Sequence, residues 1–401
     1  MSEIAMPRPV LDRLPARRPK TARTLGIIGG GQLAKMLALP AAQFGCDIVI
    51  LERNDHSPAA NLAKETVIGD WDNPDSLLRL GSLADVVTLE NEFVSADSLA
   101  ALEEFGHQLR PSSATMRIVQ DKLLQKHALA NAGLPVPRFV AAPDRQSVLT
   151  AAETLGWPLV LKKRRNGYDG KGNFTLHSPA DLNEAWARLG GGANPLFVEE
   201  FCPFTSELAM MITRAHDGAT ACYPLVETVQ RDHVCVLVKA PAGVPEEIAR
   251  SAGDIARQAV ETMRMVGTMG VEMFLTRDGK ILVNELAPRV HNSGHYTIEG
   301  CVCSQFENHV RAVLGWPLGS PALRAPAAAM VNLLGSCAGP GAPIGIENAQ
   351  AVPGAHIHIY GKTTSGKGRK MGHVTALGDT LDAAVATAQK AAQMIRFGND
   401  A

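Results

Sequence analysis

Two acidic residues, Glu272 and Glu285, lie on either side of Asp278-Gly279 in the runs Val271-Glu272-Met273-Phe274-Leu275 and Ile281-Leu282-Val283-Asn284-Glu285-Leu286. Asp-Gly suits a two-residue type I′ hairpin turn, and with Arg277 facing Lys280 that turn sets Glu272 directly opposite Glu285. Opposed Cβ atoms stand ~5 Å apart, so two ionised carboxylates there repel by about 3 kcal/mol at an effective dielectric of ~20. The flanking side chains are mostly apolar, so a shared proton, a basic neighbour or a bound cation must offset the repulsion. All-oxygen ligands favour Mg²⁺ or Mn²⁺ over zinc. From the hairpin alone, a cation site and a structural ion pair with an arginine are equally good readings.

Three other segments carry chemistry. Lys162-Lys163-Arg164-Arg165-Asn166-Gly167-Tyr168-Asp169-Gly170-Lys171-Gly172-Asn173 runs from a cationic strand into a glycine-rich turn and a second strand. Glycine backbone folds over phosphates while lysines supply charge, although a basic surface hairpin has the same composition. It is not a Walker A loop: Gly361-Lys362-Thr363 has that ending, but His356 occupies the place of the first glycine. After the hairpin, Arg289, His291 and Asn292 follow the carboxylates closely and suit an anion site beside a metal. A zinc set of His291, His295, Cys301 and Cys303 is the weaker reading, because Cys-x-Cys lacks the usual spacing. Gly29-Gly30-Gly31-Gln32-Leu33-Ala34 fits G-x-G-x-x-A between a strand and a helix, and Glu52 closes the next strand. Alone, this supports an NAD-dependent oxidoreductase; a substrate phosphate or ribose would use the same glycines and amides equally well.

The elements that must position these residues alternate strand and helix from Thr24, a parallel α/β pattern, and turn to α+β character after Leu134-Pro135-Val136-Pro137. One helix is predicted over 115–131, and a small turn-rich unit with one terminal helix follows Gly315-Trp316-Pro317. The expected units are a disordered tail (1–23), an N-terminal parallel-sheet unit (24–118), a central unit (119–322) and a small C-terminal one (323–401). A chain of 401 residues has room for two or three cores, and its net charge of −1 gives no reason to expect nucleic acid. No apolar stretch approaches the ~18 residues of a membrane span. Seven scattered cysteines suit a reducing cytoplasm better than a disulfide framework.

Taken together, the lysine strand and its glycine loop, the Val198-Glu199-Glu200 strand with Glu207 beyond it, and the glutamate hairpin resemble an ATP-grasp enzyme. The segment 284–295, the Gly-Gly-Gly-Gln-Leu opening at 29–33 and Gly368-Arg369-Lys370-Met371-Gly372-His373 resemble the 5-(carboxyamino)imidazole ribonucleotide synthase family. That resemblance implies a Rossmann-like N-terminal domain, a two-part ATP-grasp domain with its lid at about 138–205, and a small β-rich C-terminal domain. It implies ATP-dependent carboxylation of 5-aminoimidazole ribonucleotide by bicarbonate, through carboxyphosphate, in purine biosynthesis. ATP contacts are then expected at Lys122, Lys162, Gly167, Tyr168, Asp169, Gly170, Lys171, Gly172, Asn173, Glu199, Glu200, Phe201, Cys202, Glu207, Asn284 and Glu285. Glu272 and Glu285 would hold Mg²⁺, with Mn²⁺ as a substitute, and Tyr168, Arg289, His291 and Asn292 would face bicarbonate or carboxyphosphate. Gln32, Glu90, Lys362 and Arg369 would meet the imidazole nucleotide, the last two at its phosphate. The family often has histidine where this chain has Gln230, a side chain that hydrogen-bonds but carries no charge. Relatives suggest a homodimer. The competing functions are a formate-using glycinamide ribonucleotide transformylase, the oxidoreductase, and a nucleotide-binding module without turnover.

Overall fold

The computed structural model describes residues 23–167 and 172–398. Its first sheet is parallel throughout, in the order β3-β2-β1-β4, from β1 (Thr24–Ile28), β2 (Asp47–Glu52), β3 (Glu65–Ile68) and β4 (Val86–Leu89). Helix Gln32–Gln43 follows β1 and buries Leu33, Met36 and Leu37 with Ile27, Ile48 and Ile50. That is the α/β unit predicted from the alternating pattern.

A second, antiparallel sheet has the order β5-β8-β6-β7, built from β5 (Phe139–Ala142), β6 (Leu159–Lys163), β7 (Asn173–Leu176) and β8 (Leu196–Glu200). The remaining strands are β9 (Phe204–Arg214), β10 (Thr220–Cys222), β11 (Val226–Arg231), β12 (Val234–Ala240), β13 (Gly267–Thr276), β14 (Ile281–Ala287) and β15 (Ala327–Leu334). β16 (Gly339–Pro340), β17 (Ala355–Ile359), β18 (Thr364–Ser365) and β19 (Lys370–Gly378) complete the set. A nine-stranded sheet runs β14-β13-β9-β11-β12-β15-β19-β17 with β10 beside β9, while β16 and β18 pair separately. The C-terminal strands therefore extend the central sheet, through pairing of β12 with β15. Helix Glu246–Thr262 covers one side of it, burying Ile255, Ala256 and Val260 against Met269, Val271 and Met273.

The expected 115–131 helix is two helices, Ser113–Gln120 and Lys122–Asn131, broken at an extended Asp121 (φ −96°, ψ 103°). The carboxylate of Asp121 accepts from Leu123 N and Leu124 N, capping the second helix. It also receives the Arg164 guanidinium at 2.9 and 2.6 Å, which fixes Lys122 at a helix start beside the end of β6.

The glutamate hairpin differs from its prediction in the turn and agrees in the pairing. Thr276 N donates to Lys280 O at 2.9 Å and Gly279 N to Thr276 O at 3.1 Å, so the loop is the three residues 277–279 with Gly279 at φ +78°. Thr276 Oγ1 accepts from Lys280 N at 3.0 Å, a contact that the shorter turn would lack. This slips the register by one residue near the turn. A bulge at Asn284 slips it back, so Glu272 does face Glu285.

Candidate active site

The bulge has a chemical consequence. It lets two successive residues of β14, Asn284 and Glu285, reach the same layer of lysines. Lys122 Nζ pairs with Glu285 Oε2, Lys162 Nζ pairs with Glu199 Oε2, and Lys162 also lies 3.4 Å from Asn284 Oδ1. Burial works against the Lys122 ammonium, but Glu285 outweighs it and raises its pKa. Glu199 is buried, yet the facing lysines hold its carboxyl down at about 2.

Across the hairpin, Glu272 Oε1 lies 3.2 Å from His291 Nε2. Burial, reinforced by the charge of Glu285, pushes Glu272 up to about 8. Burial together with Arg289 pushes His291 down to about 3. Both shifts favour the uncharged forms, so this contact has little ion-pair character. Of the three ways to offset the repulsion, the structure supplies a basic neighbour, Lys122 on Glu285, while burial and the charge of Glu285 favour a proton on Glu272. No three His, Cys, Asp or Glu side chains converge on a metal position among the described residues. The donor chemistry fits a hard cation held by the two carboxylates together with ligand oxygens. The zinc set is not assembled: His295 packs against Phe306, Tyr360 and His373, and Cys303 lies beside Gly319.

Arg289 does not neutralise the hairpin glutamates. Its guanidinium forks onto Glu92, with Nη2 to Oε1 at 2.7 Å and Nε on the other oxygen. Asn292 exchanges two amide hydrogen bonds with Asn332, at 2.9 and 2.7 Å. His291 is set by Ser293 Oγ at 2.9 Å from Nδ1 and by Gln305, which accepts from its backbone N at 3.0 Å.

On the rim, Glu200 pairs with Arg138 at 2.6 Å, Phe201 is exposed and Cys202 is buried. Glu207 hydrogen-bonds Gln230, and burial raises its pKa. Gly167 and Gly172 bring the two limbs of the glycine loop so close that a Cβ on Gly172 would lie 2.4 Å from Gly167 Cα. Asn173 pairs with Lys162 across β6 and β7. Tyr168, Asp169, Gly170 and Lys171 lie outside the described residues.

A second polar cluster surrounds the start of helix Gln32–Gln43. Glu90 accepts from Gly31 N at 2.9 Å and Ala34 N at 3.2 Å, and Glu52 accepts from Gly30 N at 2.9 Å. The protein's own carboxylates thus fill the positions a dinucleotide pyrophosphate would take, which argues against the oxidoreductase. Lys35 Nζ donates to Ile359 O at 2.9 Å and Tyr360 O at 3.3 Å, tying this helix to the loop that carries Lys362. Lys362 Nζ donates to Lys370 O at 2.7 Å, and Arg369 Nη1 donates to Thr364 O at 2.8 Å. A Cβ on Gly31 would stand 2.4 Å from Glu90 Oε1, so Gly31→Ala must drive that carboxylate off its amides. We expect it to cost about 2 kcal/mol in urea unfolding. Gly243→Ala, where an added Cβ meets nothing within 4 Å, is the control.

Three residues that matter here escaped the sequence reading: Glu92, Asp121 and the buried Lys126. Only Glu92 gave a signal, as a second carboxylate two places beyond Glu90.

Known proteins match the chain along most of its length. The chain matches a ribonucleotide synthetase preATP-grasp domain over residues 22–120, an ATP-grasp domain over 127–306 and a phosphoribosylaminoimidazole carboxylase C-terminal domain over 328–387. It is 45% identical to an N5-carboxyaminoimidazole ribonucleotide synthase of Synechococcus elongatus, over 88% of each chain. With a phosphoribosylaminoimidazole carboxylase of Schizosaccharomyces pombe it shares 41% identity, covering 89% of this chain and 65% of that longer one. The structure of N5-carboxyaminoimidazole ribonucleotide synthetase from Thermotoga maritima is similar with a TM-score of 0.85 and 39% identity, covering 94% of this chain and 100% of that one. An Aspergillus clavatus synthase in complex with ADP and 5-aminoimidazole ribonucleotide gives a TM-score of 0.85 at 35% identity, covering 93% and 98%.

Proposed function

From the premise that the chain belongs to the N5-carboxyaminoimidazole ribonucleotide synthase family of ATP-grasp ligases, we propose how its own residues divide the reaction. The enzyme carboxylates 5-aminoimidazole ribonucleotide at the expense of ATP in purine biosynthesis. The observation that carries our reading is the lysine layer beside the opposed glutamates, with His291 against Glu272 on the other side.

ATP lies between the lid sheet and the central sheet. Lys122 and Lys162 meet its phosphates, the chain after Glu199 meets the adenine, and Glu207 with Gln230 meets the ribose. When bound, Mg²⁺ supplies charge neutralisation for the phosphates, held by Glu272 and Glu285. A bicarbonate oxygen attacks the γ-phosphorus, ADP leaves with the bridging electron pair, and carboxyphosphate forms beside Arg289. The exocyclic amine of the nucleotide then bonds to the carboxyl carbon as the carbon–phosphate oxygen bond breaks. Phosphate leaves and takes up the amine proton. Gln32, Glu90, Lys362 and Arg369 hold the nucleotide, and the glycine loop shields the water-sensitive intermediate. The family resemblance further implies a cytoplasmic homodimer.

ADP release tests this reading. It should require bicarbonate and rise on addition of 5-aminoimidazole ribonucleotide; no stimulation by that nucleotide would overturn the assignment. Formate with glycinamide ribonucleotide should give none.

Cation binding has its own test. Glu272 must release its proton to bind a cation, so Mg²⁺ affinity should rise about tenfold per pH unit below 8 and level off above it. Calorimetric titration between pH 6 and 9, in buffers of different ionisation enthalpy, should show one proton released per cation at the lower pH values. An affinity independent of pH would remove that proton from the site.

A further inference from the structure

Lys126 is 1% exposed, lies one helical turn beyond Lys122 and has no place in the reaction as described so far. Its Nζ forms an ion pair with Glu199 Oε1 at 2.7 Å and donates to Val283 O at 3.0 Å. Glu199 belongs to the lid sheet and Val283 to the strand that carries Asn284 and Glu285. One ammonium group therefore spans the lid sheet, the capped helix and the carboxylate hairpin. The other oxygen of Glu199 holds Lys162.

We propose that Lys126 is a positioning residue for phosphoryl transfer, which places Lys162 over the hairpin carboxylates by sharing Glu199 with it. The proposal rests on the reading of this cleft as an ATP site. Glu199 divides its charge between two lysines, so Lys162 is aimed by the pair without being neutralised by it. Without Lys126, Glu199 has a single partner, draws Lys162 into a closed ion pair and also loses its anchor to β14. Stability explains part of this lysine, because removing one partner of a buried pair leaves the other charge less compensated. Burial pushes its ammonium down to about 8 even with Glu199 beside it, so keeping a charged lysine here is itself costly, and only replacement of the whole cluster by apolar side chains would be neutral for stability.

The test is a cycle of Lys126→Met, Lys162→Met and the double variant in the full chain, with ADP release and ATP binding followed separately. We expect Lys126→Met to unfold at a lower midpoint yet, in the folded protein, to keep most of its ATP affinity while kcat falls on the order of 100-fold, as for a misplaced catalytic contact. The double variant should be no slower than Lys162→Met, because both changes act through the same ammonium. Losses that multiply, or a normal kcat in Lys126→Met, would overturn the proposal. Should Lys126→Met not fold, Lys126→Gln keeps a donor without the charge and is held to the same cycle. Wild-type protein that does not bind ATP would remove the underlying reading, and the proposal with it. Wild type that binds and turns over ATP with multiplying losses would remove the proposal alone.

Discussion

Glu285→Gln is expected to lower ATP-dependent turnover roughly 10³-fold while leaving the fold intact. The amide keeps the shape of the side chain and an acceptor for Lys122, so neither the hairpin nor the helix start loses its contact. What it removes is half of the oxygen charge available to a cation, and the counter-charge that raises the Lys122 pKa. A second effect follows from the coupling across the hairpin. Glu285 is the main charge that adds to burial in pushing Glu272 up, so the substitution lets Glu272 ionise at lower pH. Cation binding to the variant should therefore be weaker and less dependent on pH between 6 and 8. ADP release, Mn²⁺ titration and thermal unfolding of the same preparation check the three parts. Turnover within tenfold of wild type would show that Glu285 is not a cation ligand.

The pairing of Glu272 with Glu285 is legible in the sequence because a hairpin is local, but the predicted turn misses the geometry that makes it work. Thr276 offers a side-chain acceptor to Lys280 N and so favours a three-residue loop. The compensating bulge at Asn284 depends on lysines that arrive from helix Lys122–Asn131 and β6. The break at Asp121 is hidden for a similar reason. Its helical neighbours suit continuous winding, and only Arg164 on another element makes an extended residue favourable. Continuity of the C-terminal strands with the central sheet rests on pairing of β12 with β15, for which no turn signal exists. The start of helix Gln32–Gln43 shows the converse. The glycines are legible, whereas their occupation by Glu52 and Glu90 requires strand ends that meet only when the parallel sheet has formed.

Arg289→Ala is expected to spare ATP binding and abolish phosphoryl transfer to bicarbonate, a loss of roughly 10²–10³-fold in turnover. In the proposed site this guanidinium faces the charge that develops on carboxyphosphate, and its fork onto Glu92 holds it with little freedom to reorient. The same fork makes the substitution costly for stability. Burial alone would raise the Glu92 pKa, but the Arg289 charge and hydrogen bonds outweigh it and hold the carboxyl below its ordinary value of 4.5. In wild type that pair contributes stability which is present above about pH 4.5 and lost as pH falls through the lowered pKa. In Arg289→Ala the sign reverses. Glu92 becomes a buried acid without its cation, its pKa rises, and ionising it costs stability as pH increases. The stability gap between wild type and variant should therefore widen with pH, to about 3–5 kcal/mol near neutrality. Glu92→Gln combined with Arg289→Met, which leaves no buried charge, should recover most of that gap and none of the turnover. Urea unfolding at pH 5 and pH 8 reads the stability part, and bicarbonate-dependent ADP release reads the catalytic part. If the double variant regained turnover together with stability, Arg289 would serve the fold alone, and the anion site would have to be sought at His291 and the lysines.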